Sequence, residues 1–192
     1  MANKWALITD VPEDFILEII KEGETNRLEK ATILKPEEPG SEEMVTSEGQ
    51  FWRDCNIGWI NNEDILKQMV GLFKPVNEQY QFEIDVLEPL QYTVYNDEQF
   101  YGWHQDSYIE PEKEKRVRKI SFTMWLNDPE EYEGGNLEIE FGGPDYQSRL
   151  KTFREKRGSI FYFPSHCWHQ VTPITKGTRK SLVGWFGGPV WK

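Results

Sequence analysis

Residues 158–186 read GSIFYFPSHCWHQVTPITKGTRKSLVGWF. Two runs in it, GSIFYFP at the start and RKSLVGWF at the end, are rich in aromatic and β-branched residues. Gly, Pro, Ser and Thr bound them, as in short strands closed by turns. The same texture extends back to about residue 80, through QFEIDVLEPLQYTVYN, KISFTMWLN, GNLEIEF and QSRLKTF. Six or more short strands with turn signals between them predict a β-sandwich or barrel. There is no internal repeat.

Upstream the periodicity changes. Residues 12–22, PEDFILEIIKE, set Phe15, Ile16, Ile19 and Ile20 at helical spacing, with Pro12 early, acids in the first turn and Gly23 beyond the end. These are helix start and stop signals. Ile65, Leu66, Met69, Val70 and Phe73 recur at intervals of three and four and predict a second helix over roughly 62–79. Between them, ILKPEEPGSEEMVTSEG (33–49) has the composition of a loop. The charged run EPEKEKRVRK (110–119) reads equally as a solvated loop or a substrate-facing lid. The fold class expected is mainly β with flanking helices (α+β), the two helices lying outside one sheet. The chain is expected to form one domain, with 1–80 as a helical support region and 81–192 as the core.

Composition narrows the function classes. A chain of 192 residues with 8 Trp, 8 Tyr and 11 Phe buries a real core despite a hydrophobic fraction of 38%. No apolar run reaches the ~20 residues of a membrane-spanning helix, and the opening MANKWALITD lacks the layout of a secretion signal. A soluble, cytoplasmic protein is expected, with Cys55 and Cys167 as free thiols. A net charge of -11 disfavours nucleic acid and anionic membrane as partners. A macromolecular substrate would be neutral or basic.

The chain has three histidines, His104, His166 and His169. His104 and Asp106 close a strand-like stretch, and residues i and i+2 of a strand share a face, so one imidazole and one carboxylate can address a single metal. The segment after GSIFYFP supplies another imidazole, from His166 or His169. Two imidazoles and a carboxylate on one face of an octahedral ion form the site of non-haem Fe(II) oxygenases. Taken alone, a His-x-Asp pair is weak, since such pairs are common by chance. Ten positions after His169 comes Arg179, followed at i+2 by Ser181. On a strand the two share a face and suit a carboxylate. The surrounding Leu182, Val183, Trp185 and Phe186 argue that Arg179 is buried and needs an anionic partner.

An ordered set of elements carries a resemblance: Tyr95, Tyr101-x-x-His104-x-Asp106, Leu126-Asn127, Glu133-Gly134-Gly135-x-Leu137, Gly158-x-x-x-x-Phe163 and His169-x-Val171-x-Pro173-x-Thr175-x-Gly177-x-Arg179-x-Ser181. Over about residues 85–188 the chain resembles the 2-oxoglutarate and Fe(II)-dependent dioxygenases of the prolyl 4-hydroxylase-like branch. The resemblance implies a double-stranded β-helix, or jelly roll, with His104, Asp106 and His169 matching the iron ligands. It also implies that Arg179 holds the C5 carboxylate of 2-oxoglutarate, with Tyr95 and Ser181 as further co-substrate contacts and no catalytic residue beyond the ligands. In that register His169 matches the ligand and His166 falls in a turn with Cys167 and Trp168. The cofactors implied are Fe(II), 2-oxoglutarate and O2, with ascorbate allowed as reductant.

The reaction implied is hydroxylation of an unactivated C–H bond with release of succinate and CO2. An aspartate at 106 favours hydroxylation, because halogenating relatives carry a small residue there. The branch suggests a peptidyl proline; a free amino acid, another protein side chain or a small molecule is open too. Tyr101, Trp103 and Tyr108 form either a platform for a proline ring or part of the core. Two other classes stay open: a jelly-roll module that holds metal or ligand without oxygen chemistry, and a cupin-type hydrolase or isomerase around Zn or Mn.

Overall fold

A computed structural model describes residues 5–34, 44–46, 52–107, 116–142 and 149–190. In chain order the elements are β1 (Ala6–Ile8), α1 (Glu13–Thr25), β2 (Glu29–Lys30), β3 (Thr32–Leu34), β4 (Met44–Thr46), β5 (Arg53–Asp54), β6 (Asn56–Ile60) and α2 (Glu63–Tyr80). Then follow β7 (Val86–Leu87), β8 (Leu90–Tyr95), β9 (Phe100–His104), β10 (Arg116–Trp125), a 3-10 turn (Pro129–Glu131), β11 (Tyr132–Gly134) and β12 (Leu137–Glu140). The chain closes with β13 (Leu150–Phe153), β14 (Ile160–Pro164), β15 (Trp168–Val171), β16 (Ile174–Gly177) and β17 (Arg179–Pro189).

The strands form an antiparallel jelly roll of two facing sheets. The larger runs β1-β14-β10-β17-β8-β6-β2, with β7 also on β17; the smaller runs β13-β12-β15-β9-β5. β11–β16 and β3–β4 are separate two-stranded ribbons. Alternation along the central pair separates two environments. Ile120, Phe122, Met124, Leu182 and Phe186 point outward into a core with Phe15, Ile16 and Ile19 of α1 and Ile65, Met69 and Phe73 of α2. The intervening Ser121, Thr123, Trp125, Ser181 and Trp185 face between the sheets. There Trp125, Phe161 and Phe163 of the large sheet meet Leu137 and Ile139 of the small one.

Local signals explain the element ends. Asn62 caps α2, its side chain accepting from the Asp64 and Ile65 N–H groups, and the helix stops at Gln81 in the left-handed region, φ 55°. Predicted boundaries move in three places. The long run from Gln81 breaks into β7 and β8 around Pro89, which lacks a ladder N–H. The charged run 110–119 is strand from Arg116 onward, where β10 pairs with β17 and Arg116 and Arg118 reach Asp85 at 3.0 Å and Glu88 at 2.6 Å; residues 110–115 lie outside the described residues. The loop predicted over 33–49 holds arms of the β3–β4 ribbon, its other residues lying outside the described ones. Cys55 and Cys167 are both buried and outside any disulfide, as expected. No helix among the described residues is long and apolar enough to cross a membrane.

Candidate active site

Neighbouring strands of the small sheet set His169 of β15 directly opposite His104 of β9. Between this pair and the next, Val171 opposite Tyr101, β9 carries one residue more than β15. That bulge at Gly102 and Trp103 turns the Tyr101 ring onto the His104 imidazole, with centroids 3.5 Å apart and planes at 11°. Asp106 reaches the same point by a different route from the strand alternation predicted. It lies beyond the end of β9, where its N–H donates to the Ser165 carbonyl at 3.0 Å.

The three side chains converge. His104 Nε2 is 3.6 Å from Asp106 Oδ1, and His169 Nε2 is 3.4 Å from Asp106 Oδ2. One donor atom from each residue lies within 4.8 Å of the others. These spacings are long for hydrogen bonds, yet compatible with donors gathered about one ion at ~2.0–2.2 Å. The imidazoles are oriented for it. His104 Nδ1 is 2.8 Å from the Gly102 carbonyl and His169 Nδ1 is 3.0 Å from the Cys167 carbonyl. A carbonyl only accepts, so the proton sits on each Nδ1 and the Nε2 lone pairs face Asp106.

Electrostatics favours ligation. Burial, reinforced by His169, pushes the His104 pKa down to about 3, which keeps that imidazole neutral. For Asp106 burial opposes the charge, but the positive charge the facing histidines carry when protonated and the Ser121 hydrogen bond outweigh it and bring the carboxyl down to about 2. Ser121 Oγ donates to Asp106 Oδ2 at 2.7 Å and lies 3.0 Å from Ser165 Oγ. Ser121 was missed by the sequence reading. Its only signal was a polar residue in the middle of the apolar run KISFTMWLN.

Farther along the large sheet, Arg179 opens β17 with 1% of its surface exposed. Its Nη1 donates to Ser181 Oγ at 2.9 Å, while Nε and Nη2 are buried without a partner. Tyr95 is its cross-strand neighbour, with the guanidinium carbon 5.5 Å from the ring centroid. Trp125 stands opposite Ser181. Two unpaired N–H groups on a buried cation form an incomplete site that a carboxylate completes. The Glu-Gly-Gly motif serves this geometry. Gly135 has φ +59°, and a Cβ there would lie 2.4 Å from Ile174 Cδ1 and 3.0 Å from Arg179 Cδ. Asn127 pins the same end, donating to the Thr178 carbonyl at 2.8 Å and accepting from the Lys180 N–H at 2.9 Å.

The remaining candidates separate. His166 is exposed in the turn before β15, its carbonyl accepting from the Gln105 side chain, and its imidazole does not join the cluster. Trp168, read as part of that turn, already begins β15. Trp103 is 37% exposed, so of the supposed aromatic platform only Tyr101 stacks on His104; Tyr108 lies outside the described residues.

Comparison with known proteins gives concordant findings. The family model described as the 2OG-Fe(II) oxygenase superfamily matches residues 90–187. A PKHD-type hydroxylase of Synechococcus sp. (strain CC9605) is 42% identical over 85 residues, 44% of this chain and 35% of the relative. One from Hyphomonas neptunium is 35% identical over 112 residues, 58% of this chain and 47% of the relative. The chain thus spans under half the length of these curated relatives. Among solved structures, a Pseudomonas putida prolyl-4-hydroxylase superposes with TM-score 0.70 at 19% identity, covering 95% of this chain and 91% of that one. A viral collagen prolyl hydroxylase from Paramecium Bursaria Chlorella virus-1 gives 0.68 at 15% identity, covering 97% of each chain. At such identities these two likenesses speak for the fold.

Proposed function

Because the chain belongs to the 2OG-Fe(II) oxygenase superfamily, we propose that it hydroxylates an unactivated C–H bond, with His104, Asp106 and His169 as the Fe(II) ligands and Arg179 as the anchor of 2-oxoglutarate. One observation carries this reading. A donor set of two imidazoles and a carboxylate and a buried guanidinium with two unpaired N–H groups face the interior of the same jelly roll. A module that merely held metal would have no use for Arg179, and its burial without an anion would be a cost.

The donor set fits Fe(II): two nitrogen ligands and one oxygen ligand leave positions for a chelating co-substrate and oxygen. Bound together, Fe(II) and 2-oxoglutarate would activate O2, the oxidant, so that substrate C–H, O2 and 2-oxoglutarate become substrate C–OH, succinate and CO2. The protein contributes placement. Gly102 and Cys167 carbonyls hold the imidazole tautomers, Ser121 holds the Asp106 carboxylate, and Arg179 offers Nε and Nη2 to the distal carboxylate while Nη1 stays on Ser181. Tyr95 lies beside that guanidinium as a further co-substrate contact.

For the substrate we favour a prolyl residue of a peptide. Support comes from the hydroxylase names of the relatives and from a structural neighbour titled as a prolyl hydroxylase in complex with a hypoxia inducible factor peptide fragment. The reaction is placed in the cytoplasm, where Cys55 and Cys167 stay reduced. Oxygen-dependent succinate release from 2-oxoglutarate tests the reaction class. It should appear with Fe(II), stop with chelator and vanish in Asp106→Ala; release that survives both treatments contradicts the reading.

A further inference from the structure

Arg53 is a second interior cation that the site described so far does not use. It sits on β5 with 6% of its surface exposed, in register with Tyr101 of β9. Its guanidinium carbon lies 4.4 Å from the Tyr101 ring centroid, and that ring is the one stacked on His104. The cation is thus a single aromatic side chain removed from a proposed iron ligand. Nε donates to Cys55 Sγ at 3.1 Å, while Nη2 is buried without a partner.

Among the described residues no carboxylate lies within ion-pair distance of Arg53. Its sequence neighbour Asp54 is engaged by Lys30 at 2.7 Å and by Gln99 at 2.9 Å. The groups that act on the guanidinium are Cys55, Tyr101 and Tyr95. Burial pushes both the Cys55 thiol and the Tyr95 phenol up, so neither supplies an anion near neutral pH. Contact with the Tyr101 face repays part of the desolvation, and a thiol is a weak acceptor. In a chain with a net charge of -11, a buried guanidinium with no acid beside it among the described residues is conspicuous, since buried charges are ordinarily paired. Arg179 shows the same pattern, and Tyr95 feels both cations.

We propose that Arg53 is a second carboxylate-binding residue of the barrel, its ligand being the acidic group of a bound organic acid. That acid is either the co-substrate or the substrate, and the first case rests on the function proposed above.

Calorimetric titration of 2-oxoglutarate into Mn(II)-loaded protein tests the first source, with wild type, Arg53→Gln, Arg53→Lys and Arg179→Gln compared. If Arg53 holds a co-substrate carboxylate, Arg53→Gln weakens binding roughly 10–100-fold, the loss of a charged hydrogen bond, and Arg53→Lys recovers part of it. The second source is probed with 2-oxoglutarate saturating, by thermal shift with free proline, N-acetylproline and propionate against their primary amides. If Arg53 holds a substrate acid, the carboxylates raise the wild-type midpoint above the amides and Arg53→Gln abolishes the difference. Metal-free Arg53→Gln should melt no lower than wild type, because an unpaired buried charge has been removed. Unchanged 2-oxoglutarate affinity together with no preference of wild type for acids over amides overturns the proposal. Should Arg179→Gln also bind 2-oxoglutarate like wild type, the proposed function fails as well; a null effect confined to Arg53 variants sinks this inference alone.

Discussion

Ser121 shows how much of the proposed centre depends on groups outside its proposed ligands. It is fully buried on β10 and donates to the Asp106 oxygen that faces His169. Removing that hydroxyl leaves Asp106 with one fewer donor and a freer rotamer. Ser121→Ala should therefore weaken metal binding about 10–100-fold, the range found for partners that orient ligands, while the smaller methyl leaves the fold intact. A metal titration checks it, and wild-type affinity would remove Ser121 from the account. The proposed set His104, Asp106, His169 and Arg179 was readable because histidine is scarce and the interval to Arg179 is distinctive. Ser121, Ser165 and Arg53 were not, because nothing in their own spacing sets them apart until the register of β10 on β17 and of β5 on β9 is known.

At the level of elements, the ribbon β11–β16 and the start of β17 form one unit around Arg179. Gly134 and Gly135 both have positive φ, at 75° and 59°, and a Cβ on Gly134 would sit 2.1 Å from the Pro173 carbonyl oxygen. Gly135→Ala combines left-handed strain of roughly 1–2 kcal/mol with overlap on Ile174 and Arg179. The expected result is a melting midpoint lowered by several degrees and weaker 2-oxoglutarate binding, with metal affinity retained. An unshifted midpoint in a thermal melt would contradict this. Long strands and both helices were legible from periodicity. Among the strands that escaped, β1, β2, β5 and β11 are two or three residues long, too short for alternation to register, whereas β6, β15 and β16 run four or five residues. The Gly102 bulge escaped for a related reason: it shifts Tyr101 and His104 to one face, against the period of two.

Over the whole molecule, the helices and the outer face of the large sheet make one core, and the site occupies the interior between the sheets. Stability and chemistry thus draw on opposite faces of the same strands. Ile120, Phe122 and Met124 hold β10 to the helices, while Ser121 and Trp125 look toward the site. The N-terminal region adds β6 to the large sheet and β5 to the small one, and no pairing signal in the sequence announced either.

In the proposed site one interior holds Fe(II) through His104, Asp106 and His169 and 2-oxoglutarate through Arg179. The visible charge-transfer band of the Fe(II)–2-oxoglutarate chelate, recorded anaerobically, reads both halves at once. Wild type should show the band, His169→Ala should lose it, and Arg179→Gln should need about 10–100-fold more 2-oxoglutarate to develop it. Absence of the band in wild type, or its persistence unchanged in His169→Ala, would rule out this assignment of the ligands.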